Sequence, residues 1–264
     1  MIKEDIKFNE SFIFEGMTSI RALIKGYDSG VNDRKIKKII FDAGKIDKIK
    51  KELGYFRAVS KKYGFEIVES SSTDIDKITL GSSHGGIIAE VSERTIPYLS
   101  DNSLISYDGF YCMIQGIEDP YNFGYSIRSL YACGCSGIIL SERNWMSAAG
   151  VVARSSAGAS ELLPIYKSDA SECVHYFKNL GYSIVCADTR TESVLGQCSL
   201  KLPLLLIVGG EKRGISKSIL DLADVKVKIS YAREFNASLS AASATTMFAY
   251  DIMRQNSGIT SDKE

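Results

Sequence analysis

Three segments combine residue types and spacings suited to chemistry on an anionic substrate. The first runs from Gly116 to Arg128 and holds Asp119-Pro120, Asn122, Gly124 and Arg128. It follows an apolar run, Phe110 to Ile114, and reads as a turn that opens a helix. Asn122 is expected to cap that helix. Helix N-termini on the ligand edge of a parallel sheet present unpaired N–H groups and favour anions. Arg128, less than two turns further on, would add a forked pair of donors that suits phosphate. A capped helix with a surface Arg is the plainer alternative.

The second segment is Val208-Gly209-Gly210-Glu211-Lys212-Arg213-Gly214-Ile215-Ser216. Glycines after a buried strand let backbone approach a ligand without a Cβ in the way, and Glu211 follows them directly. No Gly-Lys-Ser/Thr closes the run, so it is not a P-loop, and it is not G-x-G-x-x-G. An ordinary strand-to-helix loop is the alternative. The third segment runs from Ile229 to Ala242. Tyr231, Glu234, Phe235, Asn236 and Ser238 precede Ser240-Ala241-Ala242-Ser243-Ala244, a small-residue helix start suited to close packing.

The elements that must position these segments show in the alternation of short apolar runs with amphipathic stretches. Strands are expected at 38–41, 65–68 and 86–91, with helices at 47–63 and 75–79. That is a small α/β domain. Pro97, Asn102 and small polar residues mark a boundary near residue 100. Beyond it, strands are expected at 110–114, 137–140, 184–187, 204–208 and 225–229. Helices are expected at 122–133, 171–180, 216–222 and 239–254. The fully apolar Leu204 to Val208 has the pattern of a strand buried on both faces, so this second domain is read as a parallel-sheet α/β domain with helices on both faces.

Composition narrows the function classes. Lys plus Arg is 32 and Asp plus Glu is 32, so the formal charge is 32 − 32 = 0. A non-specific polybasic nucleic-acid binder is excluded, although the lysines at 35, 37 and 38 and between 45 and 51 leave room for one local basic face. Six cysteines form no C-x-x-C pair, and the two histidines, His84 and His175, are far apart. No metal site is expected, and reduced buried thiols in a cytoplasmic protein are. Met1 to Glu10 lacks the apolar core of about 7–15 residues of a signal peptide. No stretch approaches the roughly 18 uninterrupted apolar residues of a membrane span.

Taken in order, the three segments resemble the signature motifs of the SpoU/TrmH family of RNA 2′-O-ribose methyltransferases, within the SPOUT superfamily. Asn122, Gly124 and Arg128 match its N-x-G-x-x-x-R motif, and Gly209, Glu211 and Gly214 match the glycine motif after its apolar strand. Asn236 and Ser238 match its S-L-N-V-S motif. Residues 132–137 and 152–159 are similar to further family stretches. Residues 16–23 and 81–91 resemble the small L30e-like RNA-binding domain often fused ahead of the catalytic one, which places RNA binding in 1–100 and catalysis in 101–264.

The resemblance implies S-adenosylmethionine as cofactor, a deep trefoil knot, a homodimer, and an RNA substrate, with ribosomal RNA favoured over transfer RNA. It implies Asn122, Arg128, Glu211 and Asn236 as the catalytic group. It implies Ala187, Asp188, Gly209, Gly210, Ile229, Tyr231, Phe235 and Ser238 around the cofactor. Two departures stand out: Glu234-Phe235 replaces the usual Ser-Leu before Asn236, and Ser230-Tyr231 replaces Pro-Met. An inert RNA-binding protein of the same fold and a nucleotide-dependent enzyme built on the glycine loop are the rival functions.

Overall fold

A strand as apolar as Leu204 to Val208 belongs in the middle of a parallel sheet, covered on both faces. The computed structural model, which describes residues 12–80, 84–101, 105–117, 119–141, 148–210 and 214–257, places it there. Two compact units make up the chain, one of residues 1–95 with 145–162 and one of residues 96–144 with 163–264.

In the first unit, β1 (Ile13–Glu15), β4 (Ile87–Val91), β2 (Ile36–Asp42) and β3 (Glu66–Ser70) form one sheet in that order. β4 runs antiparallel to β1 and β2, and β3 parallel to β2. Helices α1 (Gly16–Asp28), α2 (Lys50–Tyr63) and α3 (Ser72–Ile78) accompany it. Phe14, Ile20, Leu23, Ile39, Leu53 and Phe56 fill its core. The chain returns to this unit through α5 (Ala149–Ser155) and α6 (Ala159–Leu162), which the expected division at residue 100 left with the second domain. The return is held by packing and charge together. Ala149 and Ala153 join the first unit's core, and Glu161, fully buried, binds the Nε of the equally buried Arg34 at 3.1 Å.

The second unit is a six-stranded, all-parallel sheet, in the order β10 (Val225–Val227), β8 (Ser183–Ala187), β9 (Leu204–Gly209), β5 (Phe110–Gln115), β6 (Gly137–Leu140) and β7 (Ile165–Lys167). Helices α4 (Pro120–Ala132), α7 (Ala170–Asn179), α8 (Lys217–Leu222) and α9 (Ala241–Asn256) complete it. The α/β class and the parallel sheet expected from the sequence are observed. β5, β6 and β7 step outward in one direction, and the chain then crosses to build β8, β9 and β10 on the other side. Strand order therefore reverses between β5 and β9, and ligands of open α/β sheets bind at the carboxyl ends of strands beside such a reversal.

All six cysteines are free thiols, and Cys112, Cys135, Cys173 and Cys186 are buried. Burial pushes Cys135 and Cys186 up to about 12 and raises Cys112 well above the ordinary thiol range. The thiolate is the nucleophile, so a raised pKa keeps these groups protonated and unreactive at neutral pH. The native protein is expected to react with an aromatic disulfide reagent slowly, at the half-buried Cys133 and Cys198. The unfolded protein should titrate all six thiols. Rapid native reaction of a third thiol would contradict the burial.

Candidate active site

The three motif segments all leave the carboxyl ends of strands in the second sheet, β5 and β9 side by side and β10 beyond β8. β5 leads into Gly116 and α4, β9 into Gly209 and the glycine loop, and β10 into the loop that enters α9. α4 begins at Pro120, two residues before its expected start at Asn122. Pro120 occupies its first turn, and Asp119 is the cap, its carboxylate accepting from the N–H groups of Tyr121 (3.3 Å) and Asn122 (2.9 Å). Asn122 therefore does not cap the helix, because Pro fits the first helical position and Asp takes the position before it. Its side chain lies within the first turn and is half-buried. Asp119→Ala is expected to lower stability by about 1 kcal/mol, seen as a fall of roughly 2–4 °C in the melting midpoint.

Arg128 lies exposed on the same helix, with no acidic partner among the described residues. Ser129, next to it, binds Thr246 of α9 through a 2.7 Å hydroxyl contact, so α4 and α9 pack side by side.

The glycine loop is shaped by contacts within the chain. A Cβ on Gly210 would stand 2.0 Å from the carbonyl oxygen of Gly116, and one on Gly209 would stand 2.5 Å from the carbonyl carbon of Gly214. Gly214 has φ of +61° and closes the turn by donating its N–H to Gly210 O at 3.0 Å. The sequence suggests that these glycines make room for a ligand. For Gly209 and Gly210 the nearest obstacle is backbone of the protein itself. The contact of Gly210 with Gly116 brings the loop after β9 against the loop that leads to Asn122 and Arg128.

A cavity of about 310 Å³ opens at the carboxyl ends of β8, β9 and β10, within the usual range of roughly 300–1,000 Å³ for small-molecule sites. Val208, Ile215, Leu220, Val227 and Phe248 give it apolar walls. Asp188, Thr189, Arg190, Lys228 and Ser238 give it a polar side. Asp188 is mostly covered, and its Oδ1 accepts from the backbone N–H (3.2 Å) and the Nε (3.1 Å) of Arg190. Its Oδ2 has no hydrogen-bond partner among the described residues. Tyr231 accepts from the backbone N–H of Leu239 at 3.2 Å, drawing the loop between β10 and α9 closed beside the cavity.

Seven of the expected cofactor residues line this cavity: Ala187, Asp188, Gly209, Gly210, Ile229, Tyr231 and Ser238. Phe235 does not line it. It is over half exposed and packs edge-on against Tyr231, with ring centroids 5.8 Å apart. Asn122, Arg128 and Asn236 also stand outside the lining, and Asn236 is exposed. Glu211 lies outside the described residues. Sequence reasoning missed Thr189, Arg190 and Lys228. The available signal was position: each follows a strand on the ligand edge, within two residues of one that was chosen.

The model of the SpoU rRNA Methylase family matches residues 109–250, more than half of the chain. This chain belongs to the SpoU rRNA methylase family. The matched span takes in the whole cavity lining and all three motif segments. Among curated relatives, a 23S rRNA (guanosine-2′-O-)-methyltransferase, RlmB of Shewanella oneidensis, is 27% identical over 200 residues, which cover 74% of this chain and 81% of that one. Among solved structures, an RNA 2′-O ribose methyltransferase aligns with a TM-score of 0.76 at 19% identity, over 92% of this chain and 88% of that one. An AdoMet-bound rRNA methyltransferase from Sinorhizobium meliloti aligns with a TM-score of 0.73 at 22% identity, over 96% and 90%. At those identities the two structures establish the shared fold.

The residues present fit the SpoU family's cofactor, S-adenosylmethionine. The apolar walls suit a flat base, and the Oδ2 of Asp188 is an acceptor ready for a hydroxyl or ammonium donor. Among the described residues, no group of three or more His, Cys, Asp or Glu side chains is placed to hold a metal ion, and no helix is long and apolar enough to cross a membrane.

Proposed function

We propose that this chain is an S-adenosylmethionine-dependent RNA methyltransferase acting on a ribose 2′-hydroxyl, with ribosomal RNA as its substrate. One observation carries the reading. The family match spans a cavity at the carboxyl ends of β8, β9 and β10, the second and third motif segments line that cavity, and the close approach of Gly116 to Gly210 holds the first segment beside it. Bound there, the cofactor supplies a sulfonium methyl group.

The chain's own residues do the rest. The walls from Val208 to Phe248 exclude water, and Asp188 with Ser238 orients polar groups. Asn122 positions the ribose, and Arg128 clamps the adjoining phosphate through its fork. A guanidinium with a pKa above about 12 is a poor base, so Arg128 acts as an electrostatic clamp and a phosphate oxygen of the RNA is placed to take the hydroxyl proton. Asn236 orders the loop between β10 and α9.

The chain works as a homodimer in this reading. α4 and α9 together leave Tyr125, Tyr131, Met247 and Tyr250 exposed, an apolar face beside Arg128 that a second copy would cover. Light scattering tests it, and a monomer mass at micromolar concentration would count against it.

The deciding experiment is transfer of tritiated methyl to total ribosomal and transfer RNA from a strain lacking the enzyme, followed by mapping of the modified nucleotide. Label in ribosomal RNA at a single 2′-hydroxyl is expected. Label in transfer RNA alone would overturn the substrate, and no label in either would overturn the activity.

A further inference from the structure

The first unit contains a second cavity, of about 220 Å³, where the ends of α1 and α2 meet the start of β2. Leu23, Ile24 and Ile36 line its apolar part, and Tyr27 and Tyr63 stand at it as an edge-on pair with ring centroids 5.8 Å apart. Tyr27 is 38% exposed although it is an aromatic residue at the end of a helix. The volume is below that of the cofactor cavity and suits one flat ring system.

Its charged groups are positive. Lys62 is already engaged, holding Asp28 at 2.9 Å. Lys35 on the rim is exposed and has no acidic partner among the described residues. Arg34 forms part of the wall, with its side chain 1% exposed. Its Nε donates to Glu161 and its Nη1 to Ser92 O at 2.6 Å, while Nη2 has no hydrogen-bond partner among the described residues.

A seam of the same character leads away along α1 and α2. Arg21 lies over the ring of Tyr55 at 4.9 Å, and Lys25 stands one turn further along α1. Both cations are exposed and lack acidic partners among the described residues. Cations interleaved with tyrosine rings are the pattern of a surface that tracks a phosphate backbone and stacks bases.

We infer that this cavity takes one unpaired nucleobase of an RNA chain, stacked on the ring of Tyr27 with its edge toward Tyr63, and with the neighbouring phosphates on Lys35, Lys25 and Arg21. The inference rests on the reading of the chain as an RNA enzyme. It assigns to the first unit a preference for single-stranded RNA, separate from the methyl-transfer site.

The test uses the full chain and two fluorescein-labelled probes, a short single-stranded RNA of mixed sequence and a duplex of the same sequence. Tyr27→Ala is expected to weaken single-strand binding by about tenfold and to leave duplex binding unchanged. Tyr27→Phe, which keeps the ring, should bind like wild type. Lys35→Gln should weaken both probes and reduce the salt slope by roughly one. Thermal melting and S-adenosylmethionine binding are the controls for folding and should not move. Wild type should also bind the single strand more tightly than free adenosine 5′-monophosphate, because the seam adds phosphate contacts. Equal affinity for the monophosphate would overturn the RNA assignment. A Tyr27→Ala chain with wild-type single-strand affinity and intact methyl transfer would overturn this inference alone. A wild type that neither binds RNA nor methylates it would overturn the underlying function as well.

Discussion

Arg128→Lys is expected to lower the rate of methyl transfer to RNA by about two to three orders of magnitude, the effect of removing one well-placed donor to developing charge. The fold should not notice. Arg128 is exposed, has no acidic partner among the described residues, and sits mid-helix, where Lys and Arg have similar helix propensity. Surface changes of that kind stay within about 0.5 kcal/mol. Cofactor binding should not notice either, because Arg128 is not part of the cavity lining. The variant keeps the positive charge and loses the planar fork, so it separates charge from geometry. If the fork grips phosphate as charge develops on the ribose oxygen, kcat falls and the affinity for RNA changes little. If Arg128 serves ground-state attraction alone, KM rises and kcat holds. A Lys variant with normal turnover would remove Arg128 from the chemistry altogether.

The second unit was readable because its strands are continuous apolar runs. Gly137–Leu140 and Leu204–Gly209 are found at or within a residue of their expected limits. The elements that were missed lack that contrast. α5 and α6, built mainly from Ala, Gly, Ser and Val with only Arg154 and Glu161 charged, have no polar face to create a period, because nearly every residue is buried. α1 has helical apolar spacing in Ile20, Leu23 and Ile24, but Glu15 before it makes no side-chain cap, so its start carries no signal. The cavity at the strand ends was legible through motif order, because seven of the eight residues expected around the cofactor line it, and its other polar residues were not. Arg190 and Lys228 acquire their place from the side-by-side pairing of β8 with β10, a contact between Val185 and Val225 that no local pattern encodes. The same holds for Asp119, whose capping role was hidden behind the better-known Asn122.

Gly210→Ala is expected to destabilise the protein by about 3 kcal/mol, the upper end of overpacking costs. The added methyl would sit 2.0 Å from Gly116 O, 2.4 Å from Gly116 C and 2.9 Å from Gln115 O. All three are backbone atoms at the end of β5, so no side chain can rotate away, and the two strand ends must part. The melting midpoint should fall by roughly 6–12 °C, at about 2–4 °C per kcal/mol. Gly214→Ala provides the contrast. A Cβ there meets nothing within 4 Å, and the cost is confined to the left-handed φ of +61°, about 1–2 kcal/mol. A Gly210→Ala chain that melts with wild type, or above Gly214→Ala, would show that the strand ends separate easily. The kinetic consequence follows from where the contact lies. Gly116 begins the segment that carries Asn122 and Arg128, and Gly210 lines the cavity at the strand ends. In the arrangement proposed above, pushing the two apart moves α4 away from the cavity that would hold the methyl donor, and in-line transfer loses rate steeply with misplacement of about 1 Å. Below its melting transition, Gly210→Ala should therefore have lost far more activity than its remaining folded fraction accounts for, and Gly214→Ala should not.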